Sequence, residues 1–541
     1  MRFSLRYRYR PRALAAAAAL VTVTSLAVAS PSPRANAADA HGAAVAAPGV
    51  EDEGADCPVP DPGASPSDAK LPDPFRRLDG TRVSTTSDWR CRRAEIREQA
   101  ERTVYGQKPA KPAGVTGTVS STGITVNVTD QGKSAGFTAQ VELPSGSGPF
   151  PAVVVLGGLG ADTATIKASG AAVVNFDPYS VGREGTARNN KQGAFYSVYG
   201  STSSTGLLMA WSWGVSRIID VIEQSGGNLL RADATGVTGC SRFGKGAFVA
   251  GAFDQRIALT MPIESGSGGA PAFRGIPGES GGQPLSSAYS EQPWLGDAFG
   301  SYTGDPAALP VDTHEIVGMV APRGLFLMEN PHVDWLSARS GSVAALGGAE
   351  VYRALGAGAN ISYWSDVQDG THCAARSEWK APLQQSIGKF LLNTGTAPGV
   401  FRASPLKSGD LSQWRSWSTP ILSAAGNPDD GGGPDDGGTS GAVCTASYRT
   451  VNSWSGGFQG EVTVRNNSRT PMSTWAVGMT LAPGQSIGSL WNGVSTGTSG
   501  SVTVRNAAWT GTTAPDATTT FGFTATGGST TAPTGLTCTG T

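Results

Sequence analysis

The chain has 541 residues, which is more than one domain of ordinary size, and its net charge at pH 7 is −1. Because the mature region has no long basic run, nucleic acid and anionic membrane surfaces are poor candidates for partners. Charged residues make up 15% of the chain and 74 residues are glycine. That composition is typical of loop-rich secreted enzymes and strand-rich binding modules rather than of helical cytosolic proteins.

The N-terminus has the pattern of a secretory signal peptide. A run of arginines between positions 2 and 12 precedes a short apolar stretch, residues 13–28, and the small residues 35–37 (ANA) offer a cleavage site. No later stretch is long and apolar enough to cross a bilayer. We therefore predict a signal peptide over residues 1–37 and a secreted, extracellular protein; an N-terminal membrane anchor is the alternative.

Residues 55–425 alternate between strand and helix patterns. Buried strands are predicted at residues 151–158, 171–176, 257–263, 324–328 and 361–364, and helices at 207–224, 247–253 and 343–355. Alternation of this kind predicts an α/β sheet with helices on both faces.

A composition change separates this region from the C-terminus. Residues 426–441 read GNPDDGGGPDDGGTSG, which cannot form a core and predicts a flexible linker. In residues 442–541, segments such as 458–464 and 499–504 alternate in polarity between Gly, Asn and Thr turns. This pattern predicts a separate β-sandwich module.

A sharp turn at Ser241 carries the first chemical signal. The segment GCSRFGK (239–245) follows a predicted strand and precedes a helix of small residues, which is the setting of a nucleophile elbow. The second glycine, Gly244, comes three residues after the serine, whereas in the G-x-S-x-G pattern it comes two residues after. An ordinary strand–turn–helix is the alternative interpretation.

Histidine, the usual base for such a serine, occurs only four times in the chain. His372 follows a predicted strand near the end of the domain, which fits the order serine, acid, histidine along an α/β-hydrolase. His332 is the second candidate, although a structural role is its favoured interpretation. A disulfide between Cys373 and Cys240 would hold the base beside the nucleophile.

Two carboxylates are candidates for the acid that orients the base. Glu264 lies at the end of the strand after the elbow helix, and Asp334 follows the next strand. The usual hydrolase position is after the later strand, so fold logic alone favours Asp334.

Four segments together resemble a known family. Residues 239–245, 89–96 (WRCRRAEI), 209–218 (MAWSWGVSRI) and 264–269 (ESGSGG) resemble the signature of the glucuronoyl esterases, carbohydrate esterase family 15, and the resemblance extends over about residues 57 to 425. It implies a three-layer α/β-hydrolase fold with no metal and no cofactor. It also implies a serine carboxylic ester hydrolase that cleaves the ester between 4-O-methyl-glucuronoyl groups of xylan and lignin alcohols.

The same resemblance assigns roles to residues. It implies that Ser241 is the nucleophile, His372 the base and Glu264, rather than Asp334, the acid. It implies that Arg242 stabilises the oxyanion. The residues implied to contact the sugar are Lys245, Gln283, Glu291 and Trp335.

The C-terminal module resembles a family 2 carbohydrate-binding module. Three tryptophans in polar settings are expected to stack on cellulose, with packing at the module's edge as the alternative: Trp454, Trp491 and Trp509. Trp475 lies in an apolar strand and is expected in the core.

Six cysteines in an exported chain predict three disulfides. The pairs Cys57–Cys91 and Cys240–Cys373 are those implied by the esterase resemblance. The pair Cys444–Cys538 is implied by the resemblance of the binding module.

Two other functions stay open at this point. The protein could be a different cell-wall esterase, acting on acetyl-xylan or on feruloyl esters, or a catalytically inert cell-wall-binding protein. A monomer is expected in each case.

Overall fold

The structure, a computed structural model, describes residues 50–61, 67–422, 443–454, 456–468, 470–507, 513–515, 517–527 and 531–540. The predicted signal peptide and linker lie outside these ranges. The chain divides into two units, Met1–Gly426 and Asn427–Thr541. Among the helices in the described ranges, none has both the length and the apolar composition needed to span a membrane.

Ten strands form one mixed sheet in the described part of the first unit. They are β1 (Gly114–Val119), β2 (Gly123–Asp130), β3 (Lys133–Glu142), β4 (Phe150–Leu156), β5 (Ala172–Phe176), β6 (Leu230–Cys240), β7 (Ile257–Ile263), β8 (Gly324–Met328), β9 (Ile361–Trp364) and β10 (Phe401–Arg402). Their order across the sheet is β1-β2-β3-β5-β4-β6-β7-β8-β9-β10. The strands from β5 to β10 in this order are parallel, whereas β1, β2 and β3 are antiparallel additions at one edge. The strands predicted from residue 151 onward are all present.

Helices cover both faces of this sheet. They are α1 (Thr86–Ala100), α2 (Thr163–Ala168), α3 (Ala194–Tyr199), α4 (Leu207–Gln224), α5 (Arg242–Phe253), α6 (Leu285–Glu291), α7 (Thr313–Val320), α8 (Ala338–Ala354) and α9 (Ser377–Phe390). The pair α2 and α9 packs on one face, and α4 and α5 pack on the other. This is the predicted three-layer α/β arrangement.

The central strand β4 shows why the layers form. Val153 and Val155 lie in the apolar layer that contains residues of α2 and α9, whereas Val154 and Leu156 lie in the layer that contains residues of α4 and α5. All four side chains have no exposed surface. Because the side chains on both faces of β4 are buried, the strand has to be apolar at every position. This is typical of a parallel strand between two layers of helices. Burying each of these side chains contributes roughly 1.5–3 kcal/mol.

The second unit consists of two antiparallel sheets in the residues that the structure describes. The strands are β11 (Cys444–Trp454), β12 (Gly457–Asn466), β13 (Trp475–Thr480), β14 (Ser486–Trp491), β15 (Gly493–Ser495), β16 (Ser501–Asn506), β17 (Thr518–Thr526) and β18 (Thr534–Gly540). The sheet orders are β11-β12-β17-β14 and β15-β16-β13-β18. Trp475 is buried and stacks on Phe521 with the ring centroids 5.5 Å apart. The β-sandwich and the core position of Trp475 are as predicted.

Candidate active site

The residues predicted for catalysis lie at one edge of the sheet. Ser241 directly follows β6, Glu264 directly follows β7, and His372 lies in the loop after β9. Because the carboxyl ends of parallel strands meet at the same edge, residues far apart in sequence come together there. Glu264 and His372, for example, are in contact although 108 positions separate them.

The turn at Ser241 is a strained elbow. Ser241 has φ 59° and ψ −126°, a conformation that costs free energy for any residue with a side chain. A Cβ atom at Gly239 would come within 2.6 Å of the Phe243 carbonyl oxygen, and one at Gly244 would overlap the carbonyl oxygen of Ile263. The glycine three residues after the serine is therefore the one that lets the elbow pack against β7.

His372 and Glu264 form an oriented pair. His372 Nδ1 lies 2.6 Å from Glu264 Oε2, and the Cys373 backbone N–H donates to the same oxygen at 2.8 Å. The Glu264 side chain is fully buried. When Nδ1 carries the proton and donates to the carboxylate, Nε2 is left as the acceptor, which is the tautomer a general base requires.

Three of the non-glycine residues with positive φ in the described part of the chain belong to this site. Glu264 has φ 46° and Cys373 has φ 59°, in addition to Ser241. Positive φ at non-glycine residues persists only where surrounding contacts over-determine it, and such residues cluster at functional sites.

A disulfide connects the elbow to the histidine loop. Cys240 and Cys373 are bonded across 133 positions of sequence, and their Cα atoms are 5.8 Å apart. Since Cys240 precedes Ser241 and Cys373 follows His372, the bond limits how far apart these two residues can lie. The other two disulfides are Cys57–Cys91 and Cys444–Cys538, so all six cysteines pair as expected.

The elbow opens into a cavity of about 640 Å³, a volume within the range of small-molecule sites. Every residue predicted for the esterase site except Glu264 lines it: Ser241, Arg242, Lys245, Gln283, Glu291, Trp335 and His372. Glu264 is buried and contacts His372. The Trp335 side chain is 53% exposed and its ring meets that of His372 edge-on, with the centroids 6.0 Å apart.

One wall of the cavity is polar. Gln283, just before α6, donates from Nε2 to Oε2 of Glu291, the last residue of α6, at 2.8 Å. Lys245 is buried on α5, where its Nζ donates to the Ser265 carbonyl oxygen at 2.5 Å and lies 5.4 Å from the Trp294 ring centroid. Burial lowers the pKa of Lys245 to about 8, although Glu291 and Glu329 act in the opposite direction. This wall can donate and accept hydrogen bonds with neutral hydroxyl groups.

Sequence reasoning missed Glu184, which holds Arg242 in place. Glu184 Oε2 lies 2.9 Å from Arg242 Nη1 and accepts from the Tyr179 hydroxyl at 2.8 Å, while its Oε1 accepts from Trp294 Nε1 at 2.5 Å. Burial and the Glu184 carboxylate raise the pKa of Tyr179 to about 12, so the hydroxyl keeps the proton it donates. The sequence signal that could have indicated Glu184 is its position in a polar loop after β5, a predicted buried strand.

Arg376 was also missed. Its guanidinium donates to the Thr371 carbonyl oxygen at 2.7 Å and to Asp369 at 2.8 Å, and it lies 3.5 Å from Glu264 Oε1. This buried arginine thus connects the two ends of the loop that contains His372 with the Glu264 carboxylate. No local pattern in the sequence indicates this role.

Comparisons with known proteins show which families the two parts of the chain resemble. A family model described as "Glucuronyl esterase, fungi" matches residues 126–356, and one described as "Cellulose binding domain" matches residues 444–541. The 4-O-methyl-glucuronoyl methylesterases of Hypocrea jecorina and Neurospora crassa are each 37% identical to this chain. The matches cover 66% of this chain in both cases, and 77% and 90% of those proteins.

The chain belongs to the glucuronoyl esterase family. It is therefore a carboxylic ester hydrolase, and its fold agrees with solved members. The catalytic domain from Hypocrea jecorina has a TM-score of 0.63 and 36% identity, covering 67% of this chain and 100% of that one. A serine-to-alanine mutant from Sporotrichum thermophile, solved in complex with methyl 4-O-methyl-β-D-glucopyranuronate, has a TM-score of 0.63 and 35% identity, covering 68% of this chain and 100% of that one.

In this glucuronoyl esterase, each of the alternative candidates has a partner outside the His372–Glu264 pair. The Asp334 carboxylate is 65% exposed and forms an ion pair with Lys407 at 3.1 Å. His332 Nε2 lies 2.8 Å from the Val367 carbonyl oxygen, a contact that ties the ring to the backbone.

The glucuronoyl esterase's binding module exposes Trp491 at the end of β14. Its side chain is 38% exposed and its indole lies so close to Gly522 of β17 that a Cβ there would overlap it. A flat ring on a sheet surface can stack against a sugar ring. The Trp454 side chain and the whole of Trp509 lie outside the described residues.

Proposed function

We propose that this protein hydrolyses the ester between 4-O-methyl-glucuronoyl side chains of xylan and lignin alcohols, outside the cell and as a monomer. The observation that carries the proposal is the His372–Glu264 pair, linked by a disulfide to the Ser241 elbow, in a cavity whose other wall is polar. The related proteins are named 4-O-methyl-glucuronoyl methylesterases, and one solved relative binds a methyl glucuronate ester; both support the choice of substrate.

The proposed reaction is acyl transfer through serine. His372 takes the proton of Ser241 as Oγ attacks the C6 carbonyl carbon of the glucuronoyl group. The Arg242 guanidinium and backbone N–H stabilise the oxyanion, and one such donor is typically worth about 3 kcal/mol. The alcohol leaves with the proton from His372, and water then releases glucuronic acid from the serine.

Sugar binding is assigned to the polar wall. The uronic carboxyl is esterified and uncharged in the substrate, so Lys245 needs to donate only to hydroxyls. Gln283 and Glu291 offer a donor and an acceptor beside it, and Trp335 offers an exposed ring face.

Hydrolysis of benzyl glucuronate tests the proposal most directly. We expect turnover of this ester, much slower turnover of the matching galacturonate ester, and no release of acetate from acetylated xylan. Acetate release with no action on glucuronate esters would instead support an acetyl-xylan esterase. Failure on all uronate esters would support an inert binding protein.

The pKa of Lys245 predicts that the esterase activity falls at basic pH. Because its pKa is about 8, the ammonium group is charged below that pH and loses a proton above it, with one fewer donor for the sugar. We expect kcat/KM on methyl glucuronate to fall above about pH 8, after subtraction of alkaline hydrolysis in buffer. Lys245→Met should lower kcat/KM and abolish this limit; an unchanged basic limb in that variant would contradict the assignment.

Removal of the binding module should lower the esterase activity on some substrates and not on others. A chain ending at residue 425 should keep its activity on a soluble ester but lose activity on insoluble biomass, because a cellulose tether raises enzyme concentration near the wall esters. In the full chain, alanine at Trp454, Trp491 and Trp509 should abolish pull-down on microcrystalline cellulose. Unchanged pull-down would rule out the stacking surface.

A further inference from the structure

Glu184 places a carboxylate against the arginine that is assigned to the oxyanion. Its Oε2 lies 2.9 Å from Arg242 Nη1, and its side chain is 9% exposed, whereas that of Arg242 is 39% exposed. Arg242 lines the esterase cavity and Glu184 does not. The negative charge therefore lies outside the cavity, next to a cation that faces it, and water screens it only weakly.

Two further donors fix the position of this carboxylate. Trp294 Nε1 donates to Oε1 of Glu184 at 2.5 Å, and the Tyr179 hydroxyl donates to Oε2 at 2.8 Å. The Arg242 guanidinium also lies 5.6 Å from the centroid of the Trp294 ring. Because the three donors come from separate segments of the chain, the carboxylate cannot turn away from Arg242 without losing all three hydrogen bonds.

Hydrolysis changes the charge of the group that lies beside Arg242. The ester is neutral, whereas the acid product is ionised at neutral pH, and its carboxylate forms at Ser241. An arginine without a partner binds a carboxylate through two parallel hydrogen bonds and would retain this product. In this site Glu184 already occupies one guanidinium nitrogen, and its charge offsets that of the arginine.

The rest of the site adds no excess positive charge. Lys245 is the other cation among the described lining residues, and Glu291 lines the same cavity and favours its charged form. Glu264 adds a carboxylate in contact with His372. Burial and the Glu264 carboxylate raise the pKa of Glu329 to about 8, so this neighbouring acid is mostly uncharged at pH 6. With a neutral imidazole, and with the first ion pair included, negative charges around the reacting carbon outnumber positive ones.

We propose that Glu184 is a specificity-determining residue that makes the site favour the neutral ester over its own anionic acid product, so that the product is released. The inference rests on the proposed function, because it places the uronic carbonyl carbon at Ser241. Glu184 acts through Arg242 and lies outside the cavity that holds the ester.

The test measures product inhibition in the full-length protein at pH 6. Methyl glucuronate is the substrate and glucuronate the competitive inhibitor, so the ratio of Ki to KM reports the preference for ester over acid. In Glu184→Gln, which removes the charge and nearly keeps the volume, this ratio should fall by about tenfold. In Glu184→Asp, which keeps the charge, the ratio should stay closer to the wild-type value.

Glu350→Gln is the matched control. The Glu350 side chain is 7% exposed and forms an ion pair with Arg353 at 2.7 Å, but it does not line the cavity. The variant therefore loses a nearly buried carboxylate that is paired with an arginine, and its ratio of Ki to KM should equal that of the wild type.

The direction of the change separates this role from a purely structural one. If Glu184 only holds Arg242 in place, Glu184→Gln should raise Ki or leave the ratio of Ki to KM unchanged, and either result would overturn the proposal. Strong product inhibition of the wild type, with Ki well below KM, would overturn it as well and needs no variant. If the wild-type protein does not hydrolyse methyl glucuronate, the proposed function itself is wrong.

Discussion

Replacing Ser241 with alanine is expected to lower kcat for glucuronate esters by about five to six orders of magnitude. The substitution removes the only atom that the proposed reaction makes into an acyl-enzyme, and His372 has no comparable nucleophile to activate. Turnover of benzyl glucuronate measures the loss. Because the elbow backbone stays in place, thermal unfolding and cellulose binding should match the wild type.

Ser408→Ala, at an exposed serine away from the elbow, provides the control and should keep full activity. Near-wild-type turnover by the Ser241→Ala protein would mean that water, rather than serine, attacks the ester.

Glu264→Ala is expected to reduce kcat by about three to four orders of magnitude, whereas Asp334→Ala should stay within about fivefold of the wild type. Glu264 is buried and bonded to His372 Nδ1, so its loss frees the imidazole to take the wrong tautomer. Asp334 is mostly exposed, and its ion pair with Lys407 is of the kind that contributes little.

Glu264→Gln separates the effect of the carboxylate charge from the effect of the side-chain volume. The amide has nearly the same volume as the carboxylate but cannot stabilise an imidazolium ion. We expect it to lose nearly as much activity as Glu264→Ala while unfolding closer to the wild-type temperature. Equal losses from Glu264→Ala and Asp334→Ala would contradict the assignment and indicate a shared acid.

The central sheet was predictable because its strands are continuous apolar runs between turns. β7, β8 and β9 begin and end at the predicted residues, since both faces of each strand are covered by helices. The antiparallel strands β1, β2 and β3 were not predicted. In β2 only Ile124, Val126 and Val128 are buried, and polar residues separate them, so the apolar signal is half as dense.

The site residues that belong to short sequence motifs could be predicted. Those that reach the site only through contacts between distant parts of the chain could not. Ser241 and His372 have local signals, an elbow and a loop after a strand. Fold logic alone favoured Asp334 and the family's motif favoured Glu264; the structure places Glu264 in contact with His372. Glu184 contacts Arg242 across 58 positions and Arg376 contacts Glu264 across 112 positions, relations that one sequence does not contain.

The Cys240–Cys373 bond makes the timing of activity depend on the compartment. Its two halves are 133 residues apart, so it cannot close until nearly the whole esterase domain has been synthesised. It also cannot persist in a reducing cytosol, where thiols are kept unpaired. A chain held inside the producing cell would have every side chain of the proposed site. It would lack the disulfide that connects the Ser241 elbow to the His372 loop. If the protein is exported as proposed, export would serve as the enzyme's maturation step, and recombinant production would call for an oxidising host compartment.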